Sequence, residues 1–390
     1  MIDLSFEKAK KFKFSAGAKD LDQVLARIST ILGASSSQTK NYFVIAKGKK
    51  VGVLAYNQDT FCAMIVPGAK PESEGAFGFN LTALQGIIKG RAEMEFDYTG
   101  SELQFKATKG KYSGNIVTLP ITTEQIAYIG ASFTSAKKKD GENSALSRSM
   151  LDLLREGMVA TSIKDVHTGT DMVSLITFTE KQLRVSSNDP HHFALFTVKL
   201  KEKAPAFRVA LPINHFNIID KLVEQDDKDA KFVLRPESIR VQGEGFLLVL
   251  PATQTDEKQY DLIPSYVKNV VGEPNYLFDY TNEALVTLVN NLFTLNAANT
   301  SFEISYKKDL LNVKFVTPNG SAADALKVKK VRAAKDATTV SIDPALLRDL
   351  VARTGGLKET QIGLKDKKVL VLKAVTKSGG SLTMGSSLLS

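Results

Sequence analysis

The 390-residue sequence predicts an α+β protein of three tandem domains, each built from two halves in which a helix is followed by antiparallel strands. Three observations predict this class. The chain is too long for one core, since single cores stop growing at roughly 250–300 residues. A unit of apolar lead-in, amphipathic helix and alternating strands begins at Phe79, recurs about 132 residues later at Leu211, and recurs again about 132 residues further on at Asp343, a domain-sized period. A similar helix-then-strands pattern precedes each unit, so six halves result.

The first unit is the clearest. Asn80 is placed to cap a helix over Leu81–Lys89, where Leu81, Leu84, Ile87 and Ile88 share one face at helical spacing. Met94–Tyr98 and Leu103–Lys106 then alternate apolar and polar residues around the turn Thr99-Gly100-Ser101, and Tyr112–Leu119 supplies a third strand closing at Pro120. In the second unit Pro212 introduces a helix over Ile213–Val223, a residue whose fixed φ suits a first turn. Its strands are Lys231–Arg235 and Ile239–Gly243, joined by Pro236-Glu237-Ser238. In the third, Asp343-Pro344 opens a helix over Ala345–Arg353, Gly355-Gly356 stops it, and strands follow at Gln361–Leu364 and Lys368–Val375. The preceding halves carry helices predicted at Asp20–Leu32, Ser144–Met158 and Thr281–Leu295, each with an apolar stripe. Polar stretches at Ala136–Asn143 and Gly272–Asn275 place the domains at 1–135, 136–272 and 273–390.

Composition narrows the functional classes. With 43% hydrophobic and 24% charged residues the chain is of globular type. Cys62, the single cysteine, lies in the apolar run Phe61–Val66 and reads as a small buried hydrophobe, so no disulfide framework is expected and a reducing cytoplasm suits the chain. The start, Met1–Lys8, contains acidic residues and no apolar signal core, and no run approaches the ~18 apolar residues of a membrane span. The net charge of +9 favours an acidic partner, nucleic acid first and a membrane surface second. There is no P-loop, no glycine-rich dinucleotide turn and no nucleophile elbow, so neither an enzyme nor a cofactor is expected. The pair His191-His192 has no Cys, Asp or Glu cluster to complete a metal site, with His167 and His215 in other elements, and Asp226–Asp229 lacks calcium-loop spacing and reads as a solvated turn.

Three stretches carry a resemblance. Phe77–Pro120, ending Thr118-Leu119-Pro120, looks like the second half of a first domain in the bacterial β subunit of replicative polymerases. Leu183–Ala194 is similar to that family's second-domain strand and its Thr-Asp-Gly-His-Arg-Leu-Ala motif, and the path from Leu211 through Tyr260-Asp261-Leu262-Ile263-Pro264 leads to a third domain with a short apolar tail. The sequence therefore resembles a DNA sliding clamp, in a version expected of a bacteriophage. It departs from the family at Pro190 and His192, where Gly and Arg are usual, and at Met384-Gly385-Ser386-Ser387-Leu388-Leu389, which replaces Met-Pro-Met-Arg-Leu.

The resemblance implies three clamp domains with helices lining a ring and sheets outside, closed as a homodimer around duplex DNA, with DNA polymerase and a clamp loader as partners. Such a lumen presents positive charge to phosphates without reading bases. Basic residues on helix faces are then the DNA-binding candidates: Arg27, Lys89, Arg91, Arg148, Arg155, Lys221, Arg348 and Arg353, while Thr281–Leu295 has no Lys or Arg. A partner-peptide pocket is implied at Met172, His191, Phe193, Tyr260, Leu262 and Met384, and a dimer contact at Leu292 and Phe293. For each basic residue the competing reading is a solvated surface charge, and for each apolar one ordinary burial. An open, crescent-shaped DNA-binding factor and a structural assembly protein of repeated β-rich domains are the alternative functions.

Overall fold

A computed structural model of the chain describes residues 3–387 apart from 34–39, 59, 135–141, 163–172, 190, 205, 224–229, 235–237, 252, 254–256, 273, 296–300, 308, 318–319, 333–338, 355–356 and 367. Met172, Asp226–Asp229, Gly355-Gly356 and the tail Leu388-Leu389 lie outside the described residues.

Six times the chain runs strand, helix, three-stranded meander. The first pass is β1 (Phe12–Gly17), α1 (Ala18–Gly33), β2 (Asn41–Lys47), β3 (Lys50–Tyr56) and β4 (Phe61–Ile65). After the short β5 (Lys70–Pro71) come β6 (Gly75–Gly78), α2 (Leu81–Ile88), β7 (Glu93–Tyr98), β8 (Glu102–Ala107) and β9 (Ser113–Val117), then a connecting helix α3 (Thr123–Thr134). The third pass is β10 (Glu142–Leu146), α4 (Arg148–Thr161), β11 (Val173–Thr179), β12 (Gln182–Asn188) and β13 (His192–Lys199). The fourth is β14 (Phe207–Pro212), α5 (Ile213–Val223), β15 (Ala230–Leu234), β16 (Ser238–Gln242) and β17 (Phe246–Pro251), followed by a second connector, α6 (Glu257–Tyr266), which runs into a π-helical segment at Val267–Val271. The fifth is β18 (Tyr276–Asp279), α7 (Asn282–Leu295), β19 (Phe302–Lys307), β20 (Leu310–Thr317) and β21 (Gly320–Lys327), extended by β22 (Lys329–Arg332). The last is β23 (Thr339–Ile342), α8 (Pro344–Arg353), β24 (Lys358–Lys365), β25 (Val369–Val375) and β26 (Ser381–Ser387).

Local chemistry starts these helices where the sequence places them. The Asn80 side chain accepts the Ala83 amide proton at 3.2 Å, and Asp343 accepts those of Ala345 and Leu346 at 2.7 and 3.3 Å with Pro344 in the first turn. One prediction fails: Ser144–Leu146, read as the start of a helix, forms strand β10 paired with β15, so the helix begins at Arg148. A partner strand remote in sequence overrides the local helical pattern there. The connectors α3 and α6 were not predicted as helices, and α6 carries Pro264 inside it.

Within each pair of passes the lead-in strands change places. β1 pairs with β7, while β6 pairs with β2; β10 joins β15 and β14 joins β11; β18 joins β24 and β23 joins β19. All pairings are antiparallel. Contacts divide the chain into two compact units, Met1–Ser147 with Asn217–Ala252, and Arg148–Phe216 with Thr253–Ser390. The residues 136–272 are therefore shared: the first pass lies in unit 2 apart from β10, which is in unit 1, and the second lies mostly in unit 1.

Unit 1 holds a sheet of order β5-β1-β7-β8-β9 and a larger one of order β10-β15-β16-β17-β4-β3-β2-β6. In the larger sheet two meanders fuse through their third strands, β4 and β17, over a core that includes Phe43, Phe61, Phe133 and Leu247. Unit 2 repeats the plan, with the sheet β14-β11-β12-β13-β26-β25-β24-β18-β22 fused through the third strands β13 and β26, and a smaller sheet of order β21-β20-β19-β23. Helices cover the sheets with their apolar stripes; α1 buries Leu21, Val24, Leu25, Ile28, Ile31 and Leu32, and α8 buries Leu346, Leu347, Leu350 and Val351.

Candidate functional site

The predicted peptide-pocket residues fall on unit 2, around the end of β13. Strand alternation sorts them by face. Phe193 points to the side of the sheet covered by α6, and its cross-strand partner is Gly385. A methyl group at Gly385 would lie 2.3 Å from the Phe193 ring, so the ring occupies the space that the glycine leaves. Tyr266 meets Phe193 edge-on with centroids 5.4 Å apart. Together with Leu262, Ile263 and Val369 they line a groove of about 380 Å³, rimmed by Asn188, His191 and Ser387. Leu262 is 67% exposed beside it, a large apolar side chain held in solvent.

The α6 wall is tied down at both ends. The Tyr260 hydroxyl donates to the Val173 carbonyl at 3.1 Å, Asp261 pairs with Arg208 of β14 at 2.9 Å, and Lys373 Nζ of β25 donates to the Gly272 carbonyl at 3.2 Å. Burial presses the Lys373 ammonium below the usual lysine range. Between these anchors the residues facing the groove are presented on a fixed segment.

At the groove floor Asp189 organises the β12–β13 turn. Its Oδ1 accepts the amide protons of His191 and His192 at 2.6 Å each, and its Oδ2 lies 2.8 Å from His192 Nδ1. Burial opposes the charge on Asp189, but the His192 ring and these two amides outweigh it and hold the carboxyl below the ordinary aspartate range.

Three predicted pocket residues, His191, Phe193 and Leu262, thus line the groove, Tyr260 and Met384 do not, and Met172 lies outside the described residues. Tyr260 is buried beneath α6, acting through its hydroxyl as an anchor. Met384 is a correction: it is fully buried, stands opposite Ala194, and so shares the face on which Phe196 packs against Gly157 of α4, away from the groove. Ile263, Tyr266 and Val369 were missed. The alternation of Tyr260, Ile263 and Tyr266 at helical spacing was the available signal.

The basic candidates divide similarly. Lys89 and Arg91 are exposed at the end of α2, Arg91 lying 3.8 Å above the Tyr112 ring; Lys221 is exposed in the last turn of α5, and Arg27 is half-buried on α1. Arg148 and Arg155 on α4 both approach the carboxylate of Asp152, at 3.3 and 3.5 Å. Arg348 of α8 is exposed and stacks over Phe293 at 4.3 Å. Arg353 is a second correction. Its side chain is 8% exposed, paired with Asp349 at 2.6 Å, and burial pulls its pKa down against the pull of Asp349 and Asp189. It is a structural cation, closed to phosphate. Of the predicted dimer pair, Leu292 is already buried inside unit 2 at 3% exposure and has no area to offer a partner, whereas Phe293 is half-buried. Among the described residues no three His, Cys, Asp or Glu side chains converge, and no helix is long and apolar enough to cross a membrane.

No protein-family model matches the sequence, and no curated protein matches it. Solved structures do. The DNA polymerase sliding clamp of Caulobacter crescentus is 15% identical, with 97% of this chain and 99% of that one covered at a TM-score of 0.75. The corresponding clamp of Bacillus subtilis is 12% identical, with coverage of 98% and 100% and a TM-score of 0.76. The DNA polymerase III β subunit of Pseudomonas aeruginosa bound to griselimycin is 15% identical, with coverage of 98% and 100% and a TM-score of 0.74. Sequence likeness is low, but the likeness of fold covers nearly the whole chain. The chain has the fold of the DNA polymerase III β sliding clamps.

Proposed function

We propose that this protein is a DNA sliding clamp: a ring of two copies that encircles duplex DNA without reading its sequence and tethers a replicative polymerase, acting by topology and catalysing no reaction. One observation carries the reading. Of the six third meander strands, four are fused in pairs within the chain, β4 with β17 and β13 with β26, and among the described residues the two left over, β9 and β21, are outer edges of their sheets. Open edges of this kind are templates for strand addition. Repeating the same junction between copies joins β9 of one to β21 of the next, a head-to-tail contact that closes at two copies if the rotation is a half-turn. β9 carries no charge and no proline, and its Val117 is 78% exposed.

In this reading the domains are 1–135, 136–272 and 273–390, and the ring contains six of them with the helices turned to the lumen. Lys89, Arg91, Arg148, Arg155, Lys221 and Arg348, with Arg27 at the margin, meet phosphates there. Phe293 belongs to the edge of the subunit contact. The groove at Phe193, Leu262 and Tyr266 takes a short apolar peptide of the polymerase or of a clamp loader, the common arrangement of an aromatic-lined pocket with a polar rim. The ring works in the cytoplasm, that of the host if a bacteriophage encodes it.

The test is particle mass at micromolar concentration, together with retention on nicked circular DNA before and after linearisation. A dimer that stays on circles and slides off linear DNA is expected. A monomer that stays equally on both would replace the ring with an open, crescent-shaped factor.

A further inference from the structure

Next to the predicted basic residues Lys89 and Arg91 lies a feature that the helix-face reading does not contain. The turn after α2 and the β8–β9 hairpin stand side by side in unit 1, joined by the Thr108 amide donating to the Glu93 carbonyl at 3.0 Å, with the hairpin closed by Ala107 N–H to the Tyr112 carbonyl at 2.8 Å. Both turns use glycine in the left-handed region, Gly90 at φ +72° and Gly110 at φ +101°. Between them is a depression of about 490 Å³.

Its charge is one-sided. Arg91, Lys109 and Lys111 line it and Lys89 adjoins it, against the single carboxylate of Glu93. None of the four cations has an ion-pair partner among the described residues. Arg91 is also pre-positioned. Its guanidinium lies face-on to Tyr112 at 3.8 Å, and Tyr112 is backed by Phe105 at 5.5 Å between centroids. A guanidinium held over a ring by cation–π attraction keeps its N–H donors for other partners, and its planar fork matches a phosphate oxygen pair. Lys109 and Lys111 flank the tip of the hairpin as mobile point charges suited to phosphates at variable positions.

We propose that this pocket binds the phosphate backbone of the DNA held by the protein, with Arg91, Lys109 and Lys111 as phosphate ligands and Tyr112 as the platform that orients Arg91. The inference rests on the DNA-binding function proposed above and adds to it a grip outside the helix faces. Such contacts position the duplex and carry no base information.

The experiment measures binding of the full chain to a short fluorescent duplex by anisotropy across a salt series, for the wild type, Lys109→Gln with Lys111→Gln, Tyr112→Ala, and the control pair Lys181→Gln with Lys199→Gln, exposed lysines of unit 2. Each lost phosphate contact lowers the slope of log K against log salt by about one, so the hairpin pair should flatten it by about two. Tyr112→Ala keeps every charge and should still weaken binding roughly threefold or more, through loss of the stacked guanidinium. The control pair should leave both quantities unchanged. A hairpin pair with the wild-type slope overturns the proposal, and so does an equal loss in the control pair, which would mean diffuse charge. Unaltered affinity in Tyr112→Ala removes the platform role and with it the built pocket. If the wild type itself fails to bind the short duplex even at low salt, the phosphate grip is overturned, while the ring reading, which expects release from linear DNA, is decided separately by retention on nicked circles; binding by the wild type that the hairpin substitutions leave intact likewise sinks this inference alone.

Discussion

Third meander strands occupy the same place in every repeat, yet they meet two fates. β4 and β13 are fused to partners, and their residues are almost wholly buried: Phe61, Cys62, Ala63 and Met64 in one, Phe193 to Phe196 in the other. β9, at the free edge of its sheet, is Ser-Gly-Asn-Ile-Val and mostly exposed. The difference teaches that topology alone does not fuse sheets. A junction made within the chain is apolar on both faces, whereas the edge left open at β9 is short, small and polar, as edge strands commonly are.

Substitutions can break this contrast, beginning with the largest effect on stability. Phe61→Ala empties a site in the β4–β17 junction packed 5.4 Å from Phe133, and should cost about 3–5 kcal/mol in a denaturant titration. A loss under about 1 kcal/mol would mean that the junction is not core. Gly385→Ala, in the β13–β26 junction, pushes a methyl group into the Phe193 ring and should cost about 1–3 kcal/mol by overpacking. The same variant should lose binding of an apolar partner peptide, measured calorimetrically; retained binding would take Phe193 out of the groove's recognition surface.

Asp189→Asn probes the turn that feeds the same junction, and its effect depends on pH. The folded-state pKa of Asp189 is below the ordinary 3.8, so its charge stabilises the fold above that value and the contribution disappears as pH falls through the folded pKa. Wild-type stability should therefore decline more steeply than that of Asp189→Asn below about pH 4. Parallel declines in thermal scans would show that the turn does not depend on the carboxylate.

Val117→Lys should have the smallest effect on the folded chain, within about 0.5 kcal/mol, because the side chain is 78% exposed. In assembly it should act most strongly, placing a charge on the edge proposed to pair with β21 of a second copy and shifting sedimentation from the proposed dimer to monomer. An unaltered dimer would move the subunit contact elsewhere and leave the fused junctions as the only use of third strands.

Much of this was legible locally. Caps such as Asn80 and Asp343-Pro344 sit beside the helices they start, and amphipathic period depends only on neighbours. Pairing choices were not legible. Ser144–Leu146 reads as helical until β15 claims it, and no local pattern says that β1 belongs with β7 while β6 belongs with β2. The candidate groove suffered from the same limit, since a strand's period of two assigns faces only once register is known. Met384 and Gly385 are adjacent, and only the pairing of Ala194 with Met384 and Phe193 with Gly385 decides which of them reaches the groove. Arg353 illustrates it for charge: its i, i+4 spacing from Asp349 suits an exposed helix face, but the fold buries the arginine and leaves only the aspartate partly exposed.

The sequence by itself determined the sixfold succession of helix and strands, the starts of α2, α5 and α8 and the absence of Lys and Arg on α7, because these follow from short-range spacing and composition. Only the tertiary structure decided which strands fuse, which edges remain open, which face Phe193 takes and whether a given arginine reaches solvent. Those outcomes depend on contacts between residues far apart in the chain, whose pairing is chosen by burial over whole sheets and not by any one segment.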